Sequence, residues 1–177
     1  DVRVGALEHA ERSEGVDLGL RVLVGQKQAI VSSSDMRPET MRIMAERAVA
    51  MAKEAPDDPY VGLADPDQLA DVKSIDALEL VDPTPEPSPA FLQEQALAAE
   101  AAALAVPGVT QVQSASGYYG RIKIYLAASN GFSGGYERTA SSLSCVAIAG
   151  EGTGMERDYD GDSRTFASDL RSAEDIG

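Results

Sequence analysis

The feature that most constrains this chain is a change of hydrophobic period, from two residues to about three and a half, which occurs within the first half of the sequence. In Asp17–Val24 (DLGLRVLV) the apolar residues Leu18, Leu20, Val22 and Val24 alternate with others, so they share one face of an extended strand. Ala29–Ser33 continues after a Gly25-Gln26-Lys27 turn, and a weaker alternation of Val2, Val4 and Ala6 precedes both segments. Three antiparallel strands joined by glycine-containing turns are expected. From Glu39 to Glu54 the spacing becomes helical, with Met41, Met44, Ala45, Ala48, Met51 and Ala52 on one stripe. Pro38 fits the first turn, where a missing N–H costs nothing, and the stripe is expected to lie on the sheet.

The second half repeats these patterns with a helix placed first. Ser88 and Pro89 suit the N-cap and first position of a helix running to about Ala105, closed by Val106-Pro107-Gly108. Strands are expected at Val109–Ser114, Gly120–Ala128, Gly131–Thr139 and Leu143–Ala149, with a hairpin turn at Ser129-Asn130-Gly131. Ile122, Ile124 and Leu126 then share one sheet face. Ser172-Ala173-Glu174-Asp175 has the form of a capping box that starts a further helix. Between the halves, prolines at 56, 59, 66, 83, 85, 87 and 89 with interspersed acids predict a surface connector ending in a stiff, extended run. The expectation is an α+β fold of two helix–antiparallel-sheet–helix repeats packed as one domain over 1–177: repeat one at 1–55, a Pro-rich connector at 56–88 and repeat two at 89–177. The abrupt opening in a strand, and the absence of a buried element closing the fold, suggest a domain truncated at both ends.

Charge limits the partners. With 29 carboxylates against 15 Lys and Arg the formal net charge is −14, and the basic residues are scattered singly. Phosphate backbones and anionic membranes need clustered cations, so neither nucleic acid nor membrane is an expected partner. No apolar run is long enough to span a bilayer, Asp1–Arg12 has no greasy leader core, and the single cysteine forms no internal disulfide. A cytoplasmic setting is expected.

Every candidate site is incomplete. Zinc hydrolysis needs two or three imidazoles, commonly two on one helical face, and His9 is the one histidine present. Cys145 lies in an apolar strand with no nearby cation or helix start to activate it. Gly150, Gly152 and Gly154 imitate a phosphate loop, but Met155–Asp160 is acidic and does not open a helix. Asp158, Asp160, Asp162 and Asp169 imitate a calcium loop, but Ser163 stands where the sharp bend needs glycine and no Glu occupies the twelfth place. Glu8, Glu11 and Glu14 carry no sequence sign of an acid pair. No catalytic, cofactor-binding or metal-ligating residue is assigned.

The wording of several segments is more informative. Glu11-Arg12-Ser13-Glu14-Gly15, DLGLRV at Asp17–Val22, Ser32-Ser33-Ser34-Asp35, PDDPYVGLAD at Pro56–Asp65, SSLSCV at Ser141–Val146 and GMERDY at Gly154–Tyr159 together resemble the TldE (PmbA) family, in order and over nearly the whole chain. The resemblance implies the N-terminal domain of the non-catalytic subunit of a cytosolic TldD/TldE zinc metallopeptidase, which degrades unfolded or small peptides and processes leader peptides. It implies that zinc sits in a TldD-like partner, on a His-Glu-x-x-x-His helix and a later cysteine. No stretch of this chain matches that helix, and Cys145 matches a TldE strand instead of the zinc cysteine. The family's C-terminal domain is absent from these residues. The chain alone is expected to be inactive. The family's older label, modulator of DNA gyrase, has no support in so acidic a sequence. The alternative is a non-enzymatic scaffold module that assembles through its sheet edges.

Overall fold

The structure, a computed structural model, describes the backbone of residues 1–177 and the side chains of all but residues 72–74. It is an α+β fold that divides into two compact units, Arg12–Leu69 and Asp1–Glu11 with Ala70–Gly177.

In the unit Arg12–Leu69, β3 (Leu18–Val24) and β4 (Lys27–Ser33) form an antiparallel hairpin in register from Leu18↔Ser33 to Val24↔Lys27. Gly25 at φ 61° makes this a two-residue turn of Gly25 and Gln26, so Lys27, expected in the turn, already belongs to the strand. Helix α1 (Pro38–Glu54) lies against both strands and buries Met44, Ala48 and Ala52, while Met51 at the edge of the expected stripe is exposed. Its N-terminus is organised from outside. The Asp35 carboxylate accepts from the Arg37 N–H (3.0 Å) and the Thr40 hydroxyl (2.8 Å), and the Arg37 guanidinium holds its pKa at about 2. The connector begins tied to this hairpin, since the Asp58 N–H donates to the Gln26 carbonyl at 2.7 Å.

The expected third strand does not join this hairpin. β1 (Val2–Arg3) and β2 (Ala6–Leu7) instead form a tiny hairpin in the other unit, at the edge of an all-antiparallel sheet ordered β2-β1-β5-β6-β7, in which β5 is Val109–Ala127, β6 Ser133–Ala149 and β7 Glu156–Arg164. Val2 is fully buried there, which fixes the hairpin. Val4 (φ 54°) and Gly5 (φ 70°) make its tight turn, and the Gly5 N–H donates to the buried Glu100 carboxylate at 2.9 Å.

The four expected strands of the second half are two long ones, β5 (Val109–Ala127) and β6 (Ser133–Ala149), with β7 (Glu156–Arg164) beside the inner part of β6. Ser-Ala-Ser-Gly at 114–117 reads as a break in sequence because it lacks large apolar residues. It is instead the place where α2 (Pro89–Leu104) comes closest: a Cβ on Gly117 would sit 2.7 Å from the Leu92 carbonyl oxygen. Ser88 caps α2 as expected, accepting from the Phe91 N–H at 3.1 Å. The β5–β6 turn falls where expected but is longer than a two-residue one. Ala128 N–H donates to the Phe132 carbonyl (2.9 Å), Gly131 takes φ 95°, and the Asn130 side chain accepts from the Phe132 N–H.

The core under α2 consists largely of small residues, with Ala96, Ala99 and Ala103 facing Val2, Val112, Ala115, Leu143 and Cys145. Such residues let helix and sheet backbones approach closely. The helix expected from the Ser172 cap, α3 (Ala173–Ile176), packs on α2 and buries Ala173 and Ile176. The connector also departs from its expected surface course. Leu80 carbonyl accepts from the Thr139 N–H (3.0 Å), and the Asp82 N–H donates to the Thr139 hydroxyl (2.8 Å). The Asp82 carboxylate, 7% exposed, accepts from Ala167 N–H, Thr84 N–H and the Thr84 hydroxyl, which hold its pKa below the usual carboxylate range.

Candidate functional site

Each residue singled out in the sequence has a defined place. His9 is exposed, with Nε2 3.6 Å from the Glu11 carboxylate. Cys145 is buried between β6 and α2, its Sγ 4.0 Å from the Ala99 carbonyl. Burial, reinforced by the Glu100 carboxylate, pushes its thiol pKa up, the opposite of what an activated nucleophile needs. Gly152–Gly154 form one short 3-10 turn, with Gly150 and Gly152 at positive φ, and lead into a strand instead of a helix. Asp158, Asp160 and Asp162 lie along β7. Asp160 pairs with the Arg171 guanidinium at 2.7 Å, and Asp162 accepts the Arg171 N–H and pairs with Arg164. The arginine contacts lower both carboxylates' pKa values, so their charge is already matched. Glu8, Glu11 and Glu14 pair with Arg3, His9 and Arg12 respectively.

A zinc site needs three or four converging nitrogen, sulfur or oxygen donors. Among the described residues no group of three or more His, Cys, Asp or Glu is arranged to hold a metal ion. The described residues therefore do not offer the donor set of a zinc centre.

What the structure does present is a surface. The outer part of the β5–β6 ribbon extends past the cover of α2 and β7, and on the face opposite α2 it carries Tyr118, Ile122, Ile124, Leu126 and Tyr136, which are 39–59% exposed. Beside it, Ile75, Asp76, Glu79, Leu80 and Val81 of the connector and Lys123, Ile124, Tyr125, Gly135, Tyr136 and Glu137 of the ribbon line an open groove of about 450 Å³. Glu137 is ion-paired with Arg121, which lowers its pKa. The sequence marked Ile122, Ile124 and Leu126 as one face. Period-two patterning carries no signal for whether such a face is covered.

Residues 82–177 match the model of the PmbA/TldA metallopeptidase central domain, and residues 1–52 match that of PmbA/TldA metallopeptidase domain 1. The chain belongs to the PmbA/TldD metallopeptidase family. A metalloprotease PmbA of Escherichia coli O157:H7 is 30% identical to it over 178 residues, covering 99% of this chain and 38% of that protein. A metalloprotease PmbA homolog of Haemophilus influenzae is 31% identical over 161 residues, covering 89% of this chain and 35% of the relative. The chain thus spans well under half the length of these curated relatives. Among solved structures, TldE from Thermococcus kodakarensis superposes with a TM-score of 0.75 at 20% identity, covering 99% of this chain and 38% of that one. A protein from Bacteroides thetaiotaomicron named a modulator of DNA gyrase gives 0.76 at 23%, covering 90% and 38%. These two show the shared fold. The family's domain 1, by sequence, includes residues 1–11, yet in this PmbA/TldD-type fold they supply two strands to the sheet of the central domain.

Proposed function

We propose that these residues are the N-terminal and central part of a TldE-like subunit, one that is itself non-catalytic and works with a zinc-bearing TldD-like partner on unfolded or small peptides in the cytoplasm. The observation that carries this reading is the separation of the chain's one histidine and one cysteine. His9 stands exposed against Glu11 and Cys145 is sealed in an alanine-lined core, so these residues contribute no metal ligands to a peptidase whose family is defined by metal chemistry. Activating water near neutral pH calls for a metal that lowers the water's pKa to about 7, and the partner supplies it. This part of the subunit shapes the interface and the walls of the peptide cleft. Nucleic acid is not a partner: a gel shift at physiological salt should show no complex with DNA, because the net charge is −14.

The test uses the full-length protein, purified alone and with a TldD-like partner from the same genome, and follows cleavage of an unfolded peptide. The expected outcome is cleavage by the mixture, loss with chelator, no cleavage by the full-length protein alone, and no effect of His9→Ala or Cys145→Ala on the mixture. Cleavage by this protein alone, or full activity of the partner without it, overturns the reading. No helix among the described residues is long and apolar enough to cross a membrane.

A further inference from the structure

The outer edge of β6 offers backbone groups that have no backbone partner among the described residues. Thr139 donates its N–H to the Leu80 carbonyl, so it points away from β5. The β5–β6 register runs without a shift from Ser116↔Ser144 to Ala127↔Ser133. Alternation then directs the N–H and C=O groups of Glu137, Gly135 and Ser133 to the same edge. β7 pairs β6 only from Ser141 inward, and no backbone partner is seen for Glu137 or Gly135 on this edge among the described residues. The edge from Ser133 to Thr139 is roughly 20 Å long at about 3.3 Å per residue.

We propose that this edge is a strand-addition site for an extended peptide segment carrying apolar and basic side chains. Three observations converge on that occupant. The Leu80 carbonyl already sits on the edge as the first rung of an added strand, and beyond it Gly135 and Glu137 have no backbone partner on this edge among the described residues. The groove alongside is lined by Ile75, Leu80, Val81 and Ile124, which accept apolar side chains standing off an added strand. Among the described residues its rim carries Asp76 and Glu79 in addition to the Arg121-paired Glu137, against Lys123, which favours positive charge on the guest. Natural edges are commonly blocked by lysine, proline or a bulge, and Ser133–Arg138 carries neither a proline nor a register shift. Main-chain hydrogen bonds supply the affinity and the groove supplies the preference. The site needs neither metal nor partner subunit, so it stands or falls separately from the peptidase reading.

The experiment titrates the full-length protein against a fluorescein-labelled nine-residue peptide alternating valine and lysine, and against the same peptide N-methylated at every second amide. Saturable binding is expected, with N-methylation weakening it more than about tenfold, because each lost hydrogen bond costs several-fold in affinity. Glu137→Pro removes one outward N–H where a proline is tolerated at an edge, and should weaken binding roughly threefold to tenfold. Glu137→Ala keeps that N–H and should stay within about twofold, whereas combined Asp76→Lys and Glu79→Lys should weaken binding of the basic peptide. Should Glu137→Pro not fold, amide exchange of the wild-type chain decides, with the peptide expected to slow Gly135 and Glu137. Absence of saturation, equal binding of the N-methylated peptide, unchanged binding by folded Glu137→Pro, no slowing of Gly135 and Glu137, or edge-dependent self-association in place of peptide binding each overturns the proposal.

Discussion

The two ends of the β5–β6 ribbon share the same strands and, from Ser114↔Val146 outward, one register, yet they invert the usual relation between residue type and burial. The inner half, around Ala115, Gly117, Leu143 and Cys145, is built largely from small residues and is sealed by α2 and flanked by β7. The outer half carries Tyr118, Ile122, Ile124, Tyr125 and Leu126, and all are exposed. Burial is decided here by what lies against a strand, and close approach favours the residues with the least side chain. The large apolar residues lie where none of the described residues covers them.

Cavity formation gives the widest separation between the halves. Leu143→Ala removes a 4% exposed side chain from the alanine-rich core and should cost about 3 kcal/mol. Ile124→Ala, at 44% exposure in the outer half, should stay within about 0.5 kcal/mol. Urea midpoints of the two variants measure the difference, and equal shifts would mean that the outer half is part of the folding core.

Glycines on one strand sharpen the contrast. A Cβ at Gly117 meets the Leu92 carbonyl of α2 at 2.7 Å, backbone against backbone, so Gly117→Ala should cost about 2 kcal/mol. At Gly120 the obstacle is the Tyr118 ring, which is half exposed and free to swing aside. Gly120→Ala should therefore change stability by less than about 0.5 kcal/mol. Cys145→Ser places a hydroxyl in the same core and should cost about 1 kcal/mol. In the wild-type protein the thiol should resist a disulfide reagent until the inner half opens.

Sequence patterning shows some of this and conceals the rest. The helix over 38–54 is legible from its apolar spacing and Pro38, and that over 89–104 from the Ser88 cap, Pro89 in its first turn and the Val106-Pro107-Gly108 stop. The β5–β6 turn is legible from Asn130-Gly131, though its length is set by the Ala128–Phe132 bond. The continuity of β5 through Ser114–Gly117 is not legible, because local propensity there signals a loop and helix docking overrides it. The placement of β1 and β2 depends on a long-range contact, Val2 with Ala115, that no local window contains. Asp82 is hidden for a similar reason: in sequence it is one more acid among prolines, and only the fold brings it to Thr139, Thr84 and Ala167. The open edge of β6 is invisible because alternation is the same for a paired strand and a free one.

The smallest expected effect tests where the two halves meet. Asp82 anchors the connector at Thr139, on the boundary between the sealed and open parts of the ribbon, while Glu137 lies two residues further out and pairs with Arg121. The hydrogen bond from Ala167 N–H, followed by those from the Thr84 hydroxyl and N–H, depresses the Asp82 pKa, and the Arg121 guanidinium depresses that of Glu137. For a carboxylate with a lowered folded-state pKa, the linked stability is fully present above the unfolded value of about 4 and is lost as pH falls through the folded value. Both groups therefore act in the acid limb, below about pH 4, and neither contributes a slope near neutrality. The carboxylate of Asp82 bonds to two backbone N–H groups and the Thr84 hydroxyl, whereas Glu137 pairs with the exposed Arg121 side chain, with Lys123 also acting on it. Asp82→Asn should flatten the fall in urea midpoint between about pH 5 and pH 3 more than Glu137→Gln does. Raising the ionic strength should erase the Glu137 contribution first, since an exposed ion pair is screened more readily than short bonds to backbone N–H groups. Matching slopes for the two variants, or a larger effect at Glu137, would place the structural boundary further out along the ribbon and bring the outer strand edge into the cooperative core.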